Sequence, residues 1–118
     1  MTKILYVVVI ASGLCSYSQN CFVAVDALKG AYEGGCKKNK AEGKGIATGE
    51  DLYTGNFKNG YPHGSGKYTW KNGDWYEGNW KNGLREGKGT MHFADPAKSD
   101  KVWMGYWEKD KYKGEHEK

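Results

Sequence analysis

The sequence predicts an all-β fold, an elongated, twisted antiparallel sheet built from tandem β-hairpins. Three observations carry that prediction. First, Tyr53-Thr54-Gly55-Asn56-Phe57-Lys58-Asn59-Gly60 returns as Tyr76-Glu77-Gly78-Asn79-Trp80-Lys81-Asn82-Gly83, and each copy runs on to a Gly-x-Gly, at Gly64-Ser65-Gly66 and Gly87-Lys88-Gly89. Self-similarity at a period of about 20–50 residues marks a repeat architecture. Second, aromatic and glycine positions alternate with polar ones inside each copy, the period of a strand with one buried face. Third, from Leu28 onward there is no apolar i, i+3, i+4, i+7 run, and glycines arrive every few residues. Each glycine costs a helix interior about 1 kcal/mol.

The 118 residues fit one domain, preceded by a leader. Lys3 stands ahead of the apolar run Ile4 to Leu14, and Ser16-Tyr17-Ser18 supplies small residues before a cut. That is the pattern of a secretory signal over residues 1–18. The run has eleven residues, whereas a spanning helix needs about twenty; an uncleaved anchor is the alternative. A lipid-anchored cysteine fits poorly, because Leu14 precedes Cys15 and Asn20 precedes Cys21. Residues 19–27, with Phe22-Val23-Ala24-Val25, read as a leading strand or cap, and the repeat domain occupies 28–118.

Four copies fit the template. Copy one carries Tyr32, Gly34, Gly43 and Gly45, with Cys36 where a second aromatic residue belongs. Copy two carries Tyr53, Gly55, Phe57, Gly60, Gly64 and Gly66; copy three carries Tyr76, Gly78, Trp80, Gly83, Gly87 and Gly89. Copy four carries Trp103, Gly105, Trp107 and Gly114, with His116 in place of the last glycine. The anchors at 32, 53, 76 and 103 lie 21, 23 and 27 residues apart, and in every copy the glycine two places after the anchor is followed nine places later by another. The first and last copies are thus degenerate. The fourth is expected to lack its closing strand, leaving Val102 to Trp107 as an edge. Ala94 to Lys101 is an insertion that accounts for the longest spacing and reads as a surface loop.

Within a copy, Tyr53, Gly55 and Phe57 share one strand face, as do Gly64, Gly66, Tyr68 and Trp70 on the next strand. Asn59-Gly60, Asn72-Gly73 and Asn82-Gly83 are strong hairpin signals, since both residue types tolerate positive φ. Pro62 predicts a longer loop from Lys58 to His63. The large rings are expected to lie over glycines of neighbouring strands as one aromatic layer, so that each hairpin depends on its neighbours.

Removing Lys3 with the leader takes the formal charge from +4 to +3, with the basic residues dispersed. A nucleic-acid surface would concentrate them. Cys15 leaves with the signal, and Cys21 and Cys36 remain; in an oxidising compartment they are expected to form a disulfide, with free thiols as the alternative. His63, His92 and His116 are far apart in sequence, and no HExxH, paired CxxC or G-x-S-x-G occurs. Gly-Lys-Gly at 43–45 and 87–89 is too short for a phosphate loop and has no following helix. No catalytic residue, metal site or cofactor is expected, and the chain does not read as an enzyme.

With these residues in view, the chain resembles the MORN (membrane occupation and recognition nexus) repeat family, whose repeat opens Tyr-x-Gly-x-Trp, passes an Asn-Gly turn and continues His-Gly-x-Gly. Copy two supplies that pattern with Phe57 and His63; copy three supplies it with Trp80 and with Glu86 at the histidine position. The resemblance covers roughly residues 28–114. It implies a non-enzymatic array of hairpins, with degenerate end copies acting as caps and a Cys21–Cys36 bridge standing in for a lost ring. It also implies protein–protein scaffolding or, in some members, association with acidic phospholipids.

Three functions follow. The first is an exported scaffold that binds a protein by its sheet face or edge, with self-association through the C-terminal edge as one form. The second is binding to acidic membranes through Trp75 with lysines such as Lys37 and Lys38. The third is cell-wall or glycan binding, since Trp70 to Tyr76 superficially resembles choline-binding hairpins with their aromatic cages.

Overall fold

The computed structural model describes residues 21–95, 97 and 102–116. The leader over 1–18 and most of the insertion at 94–101 lie outside them. Eight strands follow in order: β1 (Ala31–Lys37), β2 (Lys40–Thr48), β3 (Leu52–Lys58), β4 (Tyr61–Thr69), β5 (Trp75–Lys81), β6 (Leu84–His92), β7 (Val102–Glu108) and β8 (Lys111–Gly114). They form one antiparallel meander in sequence order, measuring 52 × 32 × 20 Å. The chain is therefore the elongated open sheet that the repeats imply.

The two-residue hairpin turns among the described residues lie along one long side of the sheet. They are the two-residue pairs Lys38-Asn39, Asn59-Gly60, Asn82-Gly83 and Lys109-Asp110, each with positive φ at both positions. That geometry matches the right-handed twist of the flanking strands. The turns are stitched to one another by hydrogen bonds that skip a strand. Gly60 N donates to the Ala41 carbonyl, Gly83 N to Pro62 and Asp110 N to Arg85, each at 2.9 Å. Beside them, the N–H groups of Asn59, Asn82 and Lys109 donate to Glu42 Oε1, His63 Nδ1 and Glu86 Oε1 at 3.1, 3.3 and 2.9 Å. The histidine position of the repeat is thus an acceptor for the next turn, and Glu86 serves it as well as His63 does. At the opposite long side, Asp51 Oδ1 accepts from Lys71 N and Asp74 Oδ1 from Ala94 N, at 2.9 and 2.8 Å.

The loop expected around Pro62 does not form. The turn is Asn59-Gly60 alone, and Pro62 lies in β4 opposite Phe57, fully buried. Beside the two-residue turn Lys58↔Tyr61 is the hydrogen-bonded closing pair, so Phe57↔Pro62 is a non-hydrogen-bonded pair and proline forfeits no ladder bond to β3. Asn72-Gly73 sits in a five-residue connection, Trp70 to Asp74, closed by Trp70 N to the Asp74 carbonyl at 2.9 Å. The fourth copy does have a closing strand. The short β8 pairs with Tyr106 to Glu108, so within β7 only Val102 to Gly105 lacks a strand partner on that side among the described residues.

One face of the sheet holds the core. Tyr53, Phe57, Tyr68, Tyr76, Trp80, Met91 and Trp107 are buried there with Ala41 and Ala47. The rings form a zigzag of edge-to-face pairs, Tyr32–Phe57, Tyr53–Phe57, Tyr53–Trp80, Tyr76–Trp80 and Tyr76–Trp107, with centroids 5.0–5.7 Å apart. Such pairs add about 0.5–1.5 kcal/mol each beyond burial. Trp80 Nε1 and Trp107 Nε1 donate to the Gly66 and Gly89 carbonyls at 3.1 Å, so the indoles bond into the sheet beneath them. At the C-terminal end Tyr112 stacks on Trp103 at 5.4 Å, where a fifth hairpin would otherwise place a ring.

At the N-terminal end a strap crosses this face. Phe22 N donates to the Asn39 carbonyl and Ala24 N to Gly60, at 2.7 and 2.8 Å, while the Ala27 carbonyl accepts from Asp51 N at 3.0 Å. Between these ties Val23 and Leu28 are buried. Cys21 is bonded to Cys36, with the two Cα atoms 6.0 Å apart and the two residues fifteen positions apart in sequence. Cys36 occupies the register position of Phe57, Trp80 and Trp107. A loop of that length contributes about 3 kcal/mol by the chain-entropy model. Reduction is therefore expected to lower stability to urea by about that amount and to raise amide exchange first at Ala24 and Ala41. Equal stability of the oxidised and reduced chains would show that the strap docks without its bridge.

Candidate functional site

The face opposite the rings is open. Its floor is a row of glycines, one per strand from β1 to β7: Gly34, Gly45, Gly55, Gly66, Gly78, Gly89 and Gly105 are successive cross-strand partners. They are glycines because the ring layer lies directly beneath. A Cβ on Gly45, Gly66 or Gly89 would overlap the hydroxyl of Tyr32, Tyr53 or Tyr76, and one on Gly55 or Gly78 would overlap the neighbouring glycine. The core thus determines the glycine row, and on the far side of the sheet that row is bare backbone lying between two rows of flanking side chains. The result is a trough of about 1010 Å³ across β1–β6, continued over β5–β8 by a second hollow of about 590 Å³.

The two walls differ. On the turn side stand Lys44, Asn56, Ser65, Asn79 and Lys88, with Tyr106 further along. Asn56 Nδ2 donates to Ser65 Oγ and to its carbonyl, both at 3.2 Å, which fixes that wall. On the other side stand Ile46, Leu52, Thr54, Lys67, Thr69 and Glu77, with Thr90 and Met104 beyond. The row continues outward from Thr69 through Trp75 and His92 to Val102. Met104 is 62% exposed, and Ile46, Leu52 and Val102 are exposed as well. Trp75 stacks on His92 at 3.8 Å, and Lys67 Nζ lies 4.3 Å from the indole centroid.

The repeat-motif residues are thus brought together as floor and core, not as a chemical centre. Burial pushes the hydroxyls of Tyr32, Tyr53, Tyr68 and Tyr76 above the usual tyrosine range, which keeps them protonated as donors. Tyr53 and Tyr76 donate to the Asn56 and Asn79 carbonyls at 2.8 and 3.0 Å. Trp75 lies at the trough, but Lys37 and Lys38 sit at the β1–β2 turn on the other long side. The expected cluster of these three residues does not form. Trp70 packs against Tyr68 at 4.6 Å on the core face, whereas Trp75 faces the trough, so the two indoles cannot form one aromatic cage. Sequence reasoning missed the apolar wall. Its signal was present, since Ile46 and Leu52 fall at strand positions that period two turns away from the tyrosines. Among the described residues no three His, Cys, Asp or Glu side chains gather to hold a metal ion, and no helix is long and apolar enough to cross a membrane.

Comparison with known proteins agrees with this architecture. The MORN repeat family matches three consecutive stretches, residues 32–51, 53–75 and 76–95. The chain belongs to the MORN repeat family. These stretches are the first three copies of the template, and the fourth is seen in β7 and β8. MORN repeats are protein- and membrane-interaction modules. The chain is also similar to phosphatidylinositol 4-phosphate 5-kinase 1 of Arabidopsis thaliana, 70% identical over 23 residues. That match spans 20% of this chain and 3% of the kinase, so it concerns a repeat and carries no catalytic segment with it.

Proposed function

We propose that this MORN chain is an exported, non-enzymatic scaffold that binds a protein partner in the trough. In this reading residues 1–18 are a cleaved secretory signal, 19–27 cap the array and 28–118 form the repeat domain. The observation that carries the reading is the trough itself, a hollow with exposed apolar side chains along one wall and a floor that no side chain of the described residues fills. Monomeric proteins rarely leave such surface uncovered without a use for it. The Cys21–Cys36 bridge supports a non-reducing compartment. A photo-crosslinking residue placed at Thr54 or Lys67 should capture one discrete protein in the native compartment, and the same residue at Lys29, on the strap, should not. Adducts from all three positions alike would sink the reading.

A second reading, peripheral binding to acidic phospholipid, draws support from the similarity to a phosphoinositide kinase and from Trp75 beside Lys67. It predicts co-sedimentation with anionic vesicles that weakens as salt rises. Sedimentation with neutral and anionic vesicles alike, or with neither, would remove it.

A further inference from the structure

We propose that the trough takes an amphipathic α-helix with an acidic flank toward the hairpin turns and an apolar flank toward the loops; this rests on the trough-binding reading above. Three features of the trough lead to that occupant.

The first is the state of the floor. Every floor glycine from β1 to β7 is already paired in the ladder. An extended peptide laid across the strands would find no free backbone partner and would bury its own N–H and C=O groups unpaired, at a cost. A helix satisfies its backbone internally, so it can lie across a paired sheet.

The second is size. Seven strands give six inter-strand spacings of about 4.8 Å, or about 29 Å of trough. At about 1.5 Å per residue, a helix of roughly 19 residues spans it, and a rod about 10 Å wide settles onto glycines that raise no side chain against it. A flat bilayer meets the rims without reaching that floor.

The third is the division of chemistry between the walls. Over β1–β6 the turn-side wall carries Lys44 and Lys88 with Asn56, Ser65 and Asn79 and no carboxylate, and Glu115 stands only at its far end. Lys40, Lys58 and Lys81 lie further out toward the turns, whereas Glu42 and Glu86 there accept hydrogen bonds from turn N–H groups. On the loop-side wall Lys67 and Glu77 are cross-strand partners and Glu33 stands opposite Ile46 at the β1 end, and the apolar surface between and beyond them is Ile46, Leu52, Met104 and Val102, all exposed. A helix with Glu or Asp along one flank and Leu or Met along the next matches both walls in a single orientation.

The test uses the disulfide-bonded chain and stapled helical peptides of about 20 residues. One has a Leu/Met flank beside a Glu flank, one has Lys in place of Glu, and one is the acidic peptide scrambled. Calorimetry should show the acidic helix binding at least tenfold more tightly than the other two. Lys44→Glu with Lys88→Glu should weaken it at least tenfold and improve the Lys peptide. Met104→Ser with Ile46→Ser should weaken both, and Lys29→Ala should change nothing. Equal affinity for the acidic and Lys helices, with Met104→Ser still weakening both, would overturn the helix polarity and leave trough binding intact. Binding that no trough substitution alters would overturn both. Failure of every peptide, together with salt-sensitive binding to phosphatidylserine vesicles, would replace them with the membrane reading.

Discussion

Replacing Gly66 with alanine should destabilise the chain by about 3–5 kcal/mol, far more than an ordinary glycine-to-alanine change. A Cβ at this position would overlap the Tyr53 hydroxyl and lie 2.6 Å from its Cε1. Tyr53 cannot move aside. It is fully buried, its hydroxyl is bonded to the Asn56 carbonyl, and its ring is held edge-on between Phe57 and Trp80 at 5.0 and 5.7 Å. The overlap must be relieved either by expelling the ring or by separating β3 from β4, and both break the zigzag that joins copy two to copy three.

Gly43→Ala is the matched control. Gly43 has φ of +79° with open space around its missing Cβ, so that change bears only the cost of the left-handed backbone, about 1–2 kcal/mol. Urea denaturation of both variants distinguishes a packing role from a conformational one. Equal losses would mean that Gly66 is present for its backbone alone. A Tyr53→Leu background makes the cycle specific, since removing the ring should remove most of the added cost of Gly66→Ala.

The same geometry explains which parts of the fold were legible in the sequence. Tyr53, Tyr76 and their glycines announced themselves because a ring over a glycine needs both partners at a fixed offset, and each copy repeats that offset. The Asn-Gly turns were legible for their positive φ. Lys38-Asn39 and Lys109-Asp110 adopt the same conformation without glycine, and nothing in their composition separated them from a strand. Pro62 misled because the rule against proline in central strands assumes that its N–H is needed, and the Phe57↔Pro62 pair beside a two-residue turn is one that makes no ladder bond. The short β8 was missed because its template ends at His116, although Tyr112 still supplies the ring that covers Trp103. For the candidate site, the floor was visible as motif glycines, but the hollow was not. A trough is a property of what neighbouring strands lack on one face, and alternation alone does not show that Ile46, Leu52 and Met104 converge on one wall.

Raising the pH from 10 to 12 should unfold the chain cooperatively, and ionisation of the buried Tyr53, Tyr68 and Tyr76 should accompany that transition and not precede it. Burial pushes Tyr76 up to about 12, from an ordinary value of 10.0. Burial also raises Tyr53, and burial followed by the hydrogen bond and charge of Asp51 raises Tyr68, whose hydroxyl lies 2.6 Å from Asp51 Oδ2. Below pH 10 these groups are protonated whether the chain is folded or not, and the native state keeps its full stability. Above 10 the unfolded chain releases phenolic protons that the native chain retains, so each such tyrosine lowers stability by about 1.4 kcal/mol per pH unit. Tyr53 and Tyr76, both fully buried, together give a slope of roughly 3 kcal/mol per pH unit. From pH 10 to about 12 that removes roughly 5–6 kcal/mol, the lower end of the ~5–15 kcal/mol a small domain holds in reserve, and Tyr68 adds to it, so loss of the sheet is expected close to the Tyr76 midpoint. Tyrosinate absorbance and far-ultraviolet circular dichroism recorded on one titration should change together. Tyr76→Phe loses the bond to the Asn79 carbonyl and is weaker at neutral pH, yet its stability should fall less steeply above pH 10, because one of the responsible protons is gone. Ionisation of all the tyrosines near pH 10 with the sheet intact, Tyr53 and Tyr76 included, would mean that the rings are open to solvent, and the buried zigzag would have to be abandoned as the source of cohesion between hairpins.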